Sequence, residues 1–185
     1  MSHAILFTGH MIDKSDRPTP RFPASKEAAA ASAIRAALRK VMIEAGSDPL
    51  KGIAAAACGG DILFHEACRE LKIPSELFLG IPVDAFRQTS VAFAGPGWIT
   101  RYDQLTKALP VHILMPNATA DAPDLVWEEA NQWMLDTALA GGGTKMTLIA
   151  LWDGKKGDGL GGAEHMVRVA SAHQAMVEII DVLRL

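Results

Sequence analysis

The sequence predicts a doubly wound α/β fold: a mostly parallel, Rossmann-like sheet with helices on both faces. Two observations lead there. Six short runs, at 4–8, 53–57, 76–79, 111–115, 147–152 and 177–181, read as strands, and most of them are apolar on consecutive residues. That is the pattern of strands covered on both faces. Between them lie segments of helical periodicity, so strand and helix alternate along the chain, as a parallel sheet with crossover helices requires. The 185 residues suit a single domain, 1–185, and no repeat or linker divides them. With 49% apolar and 21% charged residues, the composition excludes disorder, collagen and a disulfide scaffold.

The elements follow in order. The first run, Ala4-Ile5-Leu6-Phe7-Thr8, closes on Gly9-His10 and has no basic stretch before it, so it does not read as a secretory leader. Ser25 is placed to cap a helix reaching Ala45, with Ile34, Leu38, Val41 and Met42 on one face and Gly46 ending it. After the second run, Asp61 is placed to cap a helix to Leu71, with Pro74 just beyond. Segments 84–94 and 98–109 read as helical around a Gly95-Pro96-Gly97 break. A helix over 125–140 ends in Gly141-Gly142-Gly143, and a last one spans 163–175. Two long loops, 11–24 and 117–124, are of a kind that is more often functional or disordered than neutral.

No apolar run approaches the roughly 18 residues that cross a bilayer, so no membrane partner is expected. Cys58 and Cys68 sit in apolar context and read as reduced thiols of a cytoplasmic protein. The histidines and cysteines never fall at metal-ligand spacing, so neither metal nor cofactor is expected. A formal net charge of −3 argues against nucleic acid as a partner. The apolar helix faces permit a homodimer without demanding one.

Ligands of open parallel sheets bind beyond the carboxyl ends of the strands. There the chain places Gly9-His10, then Cys58-Gly59-Gly60-Asp61, then Asp153-Gly154 running through Asp158 to Gly161-Gly162 at a helix start. Glycine lets backbone amides approach a ligand, and a helix N-terminus suits phosphate. A nucleotide site of Gly9, His10, Gly59, Gly60, Asp61, Asp153, Gly154, Gly161 and Gly162 is therefore expected. Neither glycine loop is a Walker A or a Gly-x-Gly-x-x-Gly element. Arg17, Arg21, Arg87, Arg101, Lys155 and Lys156 are the cations nearest these loops. Trp127, Trp133 and Trp152 could stack on a base or simply fill the core, and Asn131 sits oddly inside a helix.

The run from Gly52 through Cys58-Gly59-Gly60-Asp61 to His65 and Cys68 resembles the strand–loop–helix of the SMF/DprA–LOG (SLOG) superfamily. Asp61 and His65 keep an Asp-to-His interval of the DNA-processing branch. The tail from Leu148 through Trp152-Asp153-Gly154 to Gly161-Gly162-Ala163 resembles that superfamily's second strand–glycine loop–helix, and Phe7-Thr8-Gly9-His10 its first strand. The subgroup attached to signalling or conflict systems is most similar. The resemblance implies a domain that binds a small-molecule nucleotide or an ADP-ribose-like derivative, as sensor or processing domain. It also leaves open an N-glycosidase similar to phosphoribohydrolases or nucleoside deoxyribosyltransferases, with Asp61, Glu66 or Asp158 as the carboxylate that steadies the ribose cation. The phosphoribohydrolase signature puts Glu where this chain has Met166. A protein-interaction module without ligand is the third alternative. His65 reads as a packed histidine as readily as a ligand-facing one.

Overall fold

The computed structural model describes residues 2–122, 124–155 and 162–185. One sheet of six parallel strands forms its centre: β1 (His3–Gly9), β2 (Leu50–Ala54), β3 (Ser75–Leu79), β4 (Val111–Ile113), β5 (Met146–Trp152) and β6 (Met176–Asp181). Their order across the sheet is β4-β3-β2-β1-β5-β6. The helices are α1 (Glu27–Ala45), α2 (Gly60–Glu70), α3 (Val83–Ser90), α4 (Pro96–Ala108), α5 (Leu125–Leu139) and α6 (Ala163–Ala172).

Alternation along each strand divides the core. Ile5 and Phe7 of β1, Leu77 and Leu79 of β3, and Ile149 and Leu151 of β5 face α1, α2 and α4. Ala4, Leu6, Phe78, Met146 and Leu148 face α5 and α6. Both faces of the central strands β1 and β5 are covered, and this is why they read as nearly unbroken apolar runs.

The chain winds outward from β1 to β4, then returns to lay β5 on the other flank of β1. The winding direction therefore reverses between β1 and β5. In open α/β sheets the crevice for ligands opens at that reversal, outside the carboxyl ends.

Two local starts differ from expectation. β2 ends at Ala54 rather than Ala57, because the following alanines leave the sheet: Ala55 O accepts from His65 Nε2 at 2.9 Å, and Ala57 N–H donates to Asp61 Oδ2 at 3.1 Å. Asp61 does not cap α2. The helix starts a residue earlier, at Gly60, after Gly59 turns the chain with φ +111°. Ser25 makes no cap either; a single 3₁₀ turn, Ala24–Lys26, leads into α1.

Candidate functional site

A cavity of about 790 Å³ lies over the carboxyl ends of β1, β2 and β5. Phe7, Thr8 and Gly9 form its floor, with Ala55, Ala57 and Asp61 beside them. Phe86, Thr89 and Ser90 of α3 and Trp127, Asn131 and Met134 of α5 wall it. Trp152, Gly162 and Ala163 close the β5 side, and Asp124 lies at the edge.

Residues 11–24 form a strap along the rim. Its hold on the body is long-range. Ile12 N–H donates to Cys58 O at 3.0 Å, and Met11 bridges Gly59. Asp13 then folds the strap on itself: its Oδ2 accepts from both Arg21 N and Phe22 N at 2.9 Å, and Asp13 N–H returns to Phe22 O at 3.0 Å. Phe22 is fully buried and Ile12 nearly so, which pins the segment. The strap brings Met11, Lys14 and Arg21 to the cavity.

At the reversal between β1 and β5 two of the expected residues, His10 and Asp153, meet. His10 Nε2 lies 3.3 Å from Asp153 Oδ1 and 3.3 Å from the Asp153 amide nitrogen. Burial lowers the His10 pKa and outweighs the pull of Asp153, so the neutral ring predominates at pH 7. Asp153 is buried, which would raise its pKa, yet the Lys155 N–H at 3.1 Å, His10 and Arg21 together hold it below the ordinary carboxylate range. Arg21 Nε lies 3.7 Å from Asp153 Oδ2.

Asp61 faces the cavity from α2 in the opposite state. It is buried, its carboxylate accepts from the Ala57 N–H, and desolvation pushes its pKa up to about 7. Near neutrality it can give or take a proton, or donate a hydrogen bond as an acid. One turn on, His65 is fully buried between Ser75 Oγ (3.0 Å) and Ala55 O (2.9 Å), and desolvation lowers its pKa to about 4. It is a core histidine.

Other candidates separate. Glu66 is absent from the cavity lining, held by Arg101 at 2.8 and 2.6 Å, with Arg101 also reaching Glu27 at 2.7 Å and stacking 4.0 Å from Trp98. Arg87 pairs with Asp84 and Asp103. Trp133 lies against Phe78 and His112. Gly9, His10, Asp61 and Gly162 line the cavity, and Asp153 backs it. Gly154 is exposed with φ +72°, next to the Asp153 turn. Gly59 and Gly60 do not line it: the Gly60 N–H donates to His10 O at 3.1 Å. Asp158, Gly161 and Lys156 lie outside the described residues. Sequence reasoning missed Lys14, Met11, Phe86, Thr89 and Ser90, which only the strap's docking and the α3 packing bring to the rim.

Gly162 and Ala163 put the opening turn of α6 at the cavity. Its first N–H groups have no intrahelical acceptor, and the positive end of the helix dipole lies there.

A solved structure of DNA processing protein A (DprA) from Streptococcus pneumoniae superposes on this architecture with a TM-score of 0.57 and 12% identity, over 96% of this chain. The fold is DprA-like. The chain spans half the length of that DprA chain. No family model matches the sequence, and no curated protein matches it. No helix among the described residues is long and apolar enough to cross a membrane.

Proposed function

We propose that this protein binds a nucleotide or nucleotide derivative in the cavity beyond β1 and β5. One observation carries the reading: a helix N-terminus (Gly162-Ala163), two strap cations (Lys14 and Arg21) and the flat surfaces of Trp127 and Trp152 border the same volume of about 790 Å³. Orphan amides and cations suit phosphate; aromatic faces suit a base. That volume lies in the range of about 300–1,000 Å³ usual for small-molecule sites.

The test is a melting-temperature panel of nucleosides, nucleoside mono- and diphosphates, ADP-ribose and a short single-stranded DNA. A ligand at a hundred times its Kd stabilises by about 2.7 kcal/mol, several degrees for a chain of this size. A panel in which no nucleotide moves the transition would end the proposal. A shift by DNA alone would give the site a polymer instead.

Asp61 supports a second reading, an N-glycosidase on the same site. It is a buried carboxyl lining the cavity, and its raised pKa fits its acid form to protonate a leaving base and its carboxylate form to steady positive charge on ribose. Base release, followed by chromatography and abolished in Asp61→Asn, separates enzyme from sensor. Binding with no release leaves the sensor.

A further inference from the structure

His10 has one ring nitrogen held and the other open. Nε2 lies 3.3 Å from Asp153 Oδ1, and Asp153 is itself fixed by the Lys155 N–H and by Arg21. Nδ1 has no hydrogen-bond partner among the described residues. None of the buried polar side-chain atoms there lacks a partner, so Nδ1 reaches open space. A carboxylate against one nitrogen of an imidazole orients the other for proton transfer.

The ring stands where two hollows meet. Beside the main cavity, under the strap, lies a second one of about 440 Å³, and His10, Met11, Lys14 and Arg21 line both. The shared wall thus sets the imidazole beside two permanent cations. Lys14 is steadied there by the Phe93 ring, with Nζ 5.3 Å from its centroid. Beyond the wall, the smaller hollow carries the carboxylates of Asp13 and Asp16 and the guanidinium of Arg17. Asp13 is occupied: its Oδ2 accepts from the Arg21 and Phe22 N–H groups, and its Oδ1 lies 3.5 Å from Arg17 Nε. Two carboxylates repel a phosphate and hold water. An anionic group entering from the larger hollow therefore stops at Lys14 and Arg21, with water behind it.

We infer that His10 is the general base of a phosphohydrolase: a nucleoside di- or triphosphate lies in the larger hollow with its terminal phosphoryl group at Lys14 and Arg21, and His10 activates a water that enters from the hollow under the strap. The inference rests on the nucleotide reading and adds a reaction to it. In the reacting form the His10 proton sits on Nε2, shared with Asp153 Oδ1, and Nδ1 presents its lone pair. Nδ1 takes one proton from the water. The water oxygen bonds to the terminal phosphorus as the bond from that phosphorus to the bridging oxygen breaks. The bridging oxygen keeps the electron pair and leaves with the shortened nucleotide. Inorganic phosphate is the other product, and the imidazolium gives its proton to solvent. Lys14 and Arg21 stand where charge gathers on the transferring group. Attack from one hollow and departure into the other suit in-line displacement.

Phosphate release from ADP, GDP, CDP, UDP and their triphosphates by the full chain, in heavy-oxygen water, tests this beside calorimetric binding of the same compounds. At least one compound is cut, and the heavy oxygen appears in the inorganic phosphate rather than in the shortened nucleotide. His10→Gln lowers kcat by about 100-fold or more and changes Kd far less. Pro18→Trp, at an exposed strap position, fills the smaller hollow and also lowers kcat, with the nucleotide still bound. Two variants are used so that a fold lost in one, seen by circular dichroism, leaves the other to decide. Binding without phosphate release, heavy oxygen in the nucleotide, or a folded variant of either kind that keeps the wild-type rate overturns the hydrolase while nucleotide binding stands. Binding of no compound overturns both.

Discussion

Two glycine pairs, Gly59-Gly60 after β2 and Gly161-Gly162 before α6, look alike in sequence, yet the described glycines Gly59, Gly60 and Gly162 sit in unlike surroundings. At the first, Gly59 and Gly60 are buried against the chain's own strap: a Cβ on Gly59 would stand 2.7 Å from Ile12 N and 2.8 Å from His10 O. The Gly60 N–H is bonded to His10 O. At the second, Gly162 has φ −67°, no atom of the described residues lies within 4 Å of a would-be Cβ, and Gly162 and Ala163 line the cavity. Glycine serves close backbone packing in one turn and an open helix start in the other. A glycine-rich loop by itself does not distinguish an anchor from a cradle.

Substitution breaks the comparison most directly. Gly59→Val forces a β-branched residue to positive φ and into the strap, and the expected loss is about 3 kcal/mol or more in urea unfolding. Gly162→Ala should change stability by no more than about 0.5 kcal/mol. Equal losses at the two positions would show that the turns are the same kind of structure after all.

The pH profile is expected to move less, and it sharpens the contrast within α2. Asp61 has a folded pKa of about 7, above its unfolded value, so its contribution to stability falls as pH rises from about 4 to 7. His65 has a folded pKa of about 4, below its unfolded value, so its contribution grows between about 4 and 6.5. The slopes oppose each other. Asp61→Asn removes the falling one, so the variant should gain on the wild type as pH rises from about 4 to 7, by on the order of 4 kcal/mol at pH 8. Parallel profiles for the two proteins would mean that Asp61 is solvated.

On the cavity side, Arg21→Ala should weaken an anionic ligand about tenfold with less than ~1 kcal/mol of stability, read by calorimetry and unfolding on the same sample. The smallest change is expected from Glu66→Gln, which loosens the Arg101 contact at the surface by about 0.5 kcal/mol and leaves ligand affinity untouched. A binding defect there would move the site to the α4 side of α2.

Much of the fold was legible because covered parallel strands must be apolar throughout, and all six runs fall on strands. The slip at β2 has a simple cause: Ala55, Ala56 and Ala57 look the same whether they pair in a sheet or leave it to meet Asp61 and His65. His10 and Asp153 were legible as strand-end polar groups, although their meeting depends on β5 returning to the flank of β1. Glu66 was not, since helical phase gives a direction and only Arg101, far along the chain, says what lies that way. The strap was legible as a proline-bearing loop and nothing more. Its shape comes from Asp13 folding back to Arg21 and Phe22, and from Cys58 holding Ile12, contacts that no local pattern announces.

The placement of β5 beside β1 has a consequence for synthesis. The first four strands can pair as soon as they leave the ribosome, but β1 then keeps a bare hydrogen-bonding flank until Met146–Trp152 emerges. A nascent chain stalled before that point would be a half-sheet with an adhesive edge and an unroofed pocket. The masking of that edge thus coincides with the arrival of Trp152 at the cavity's rim.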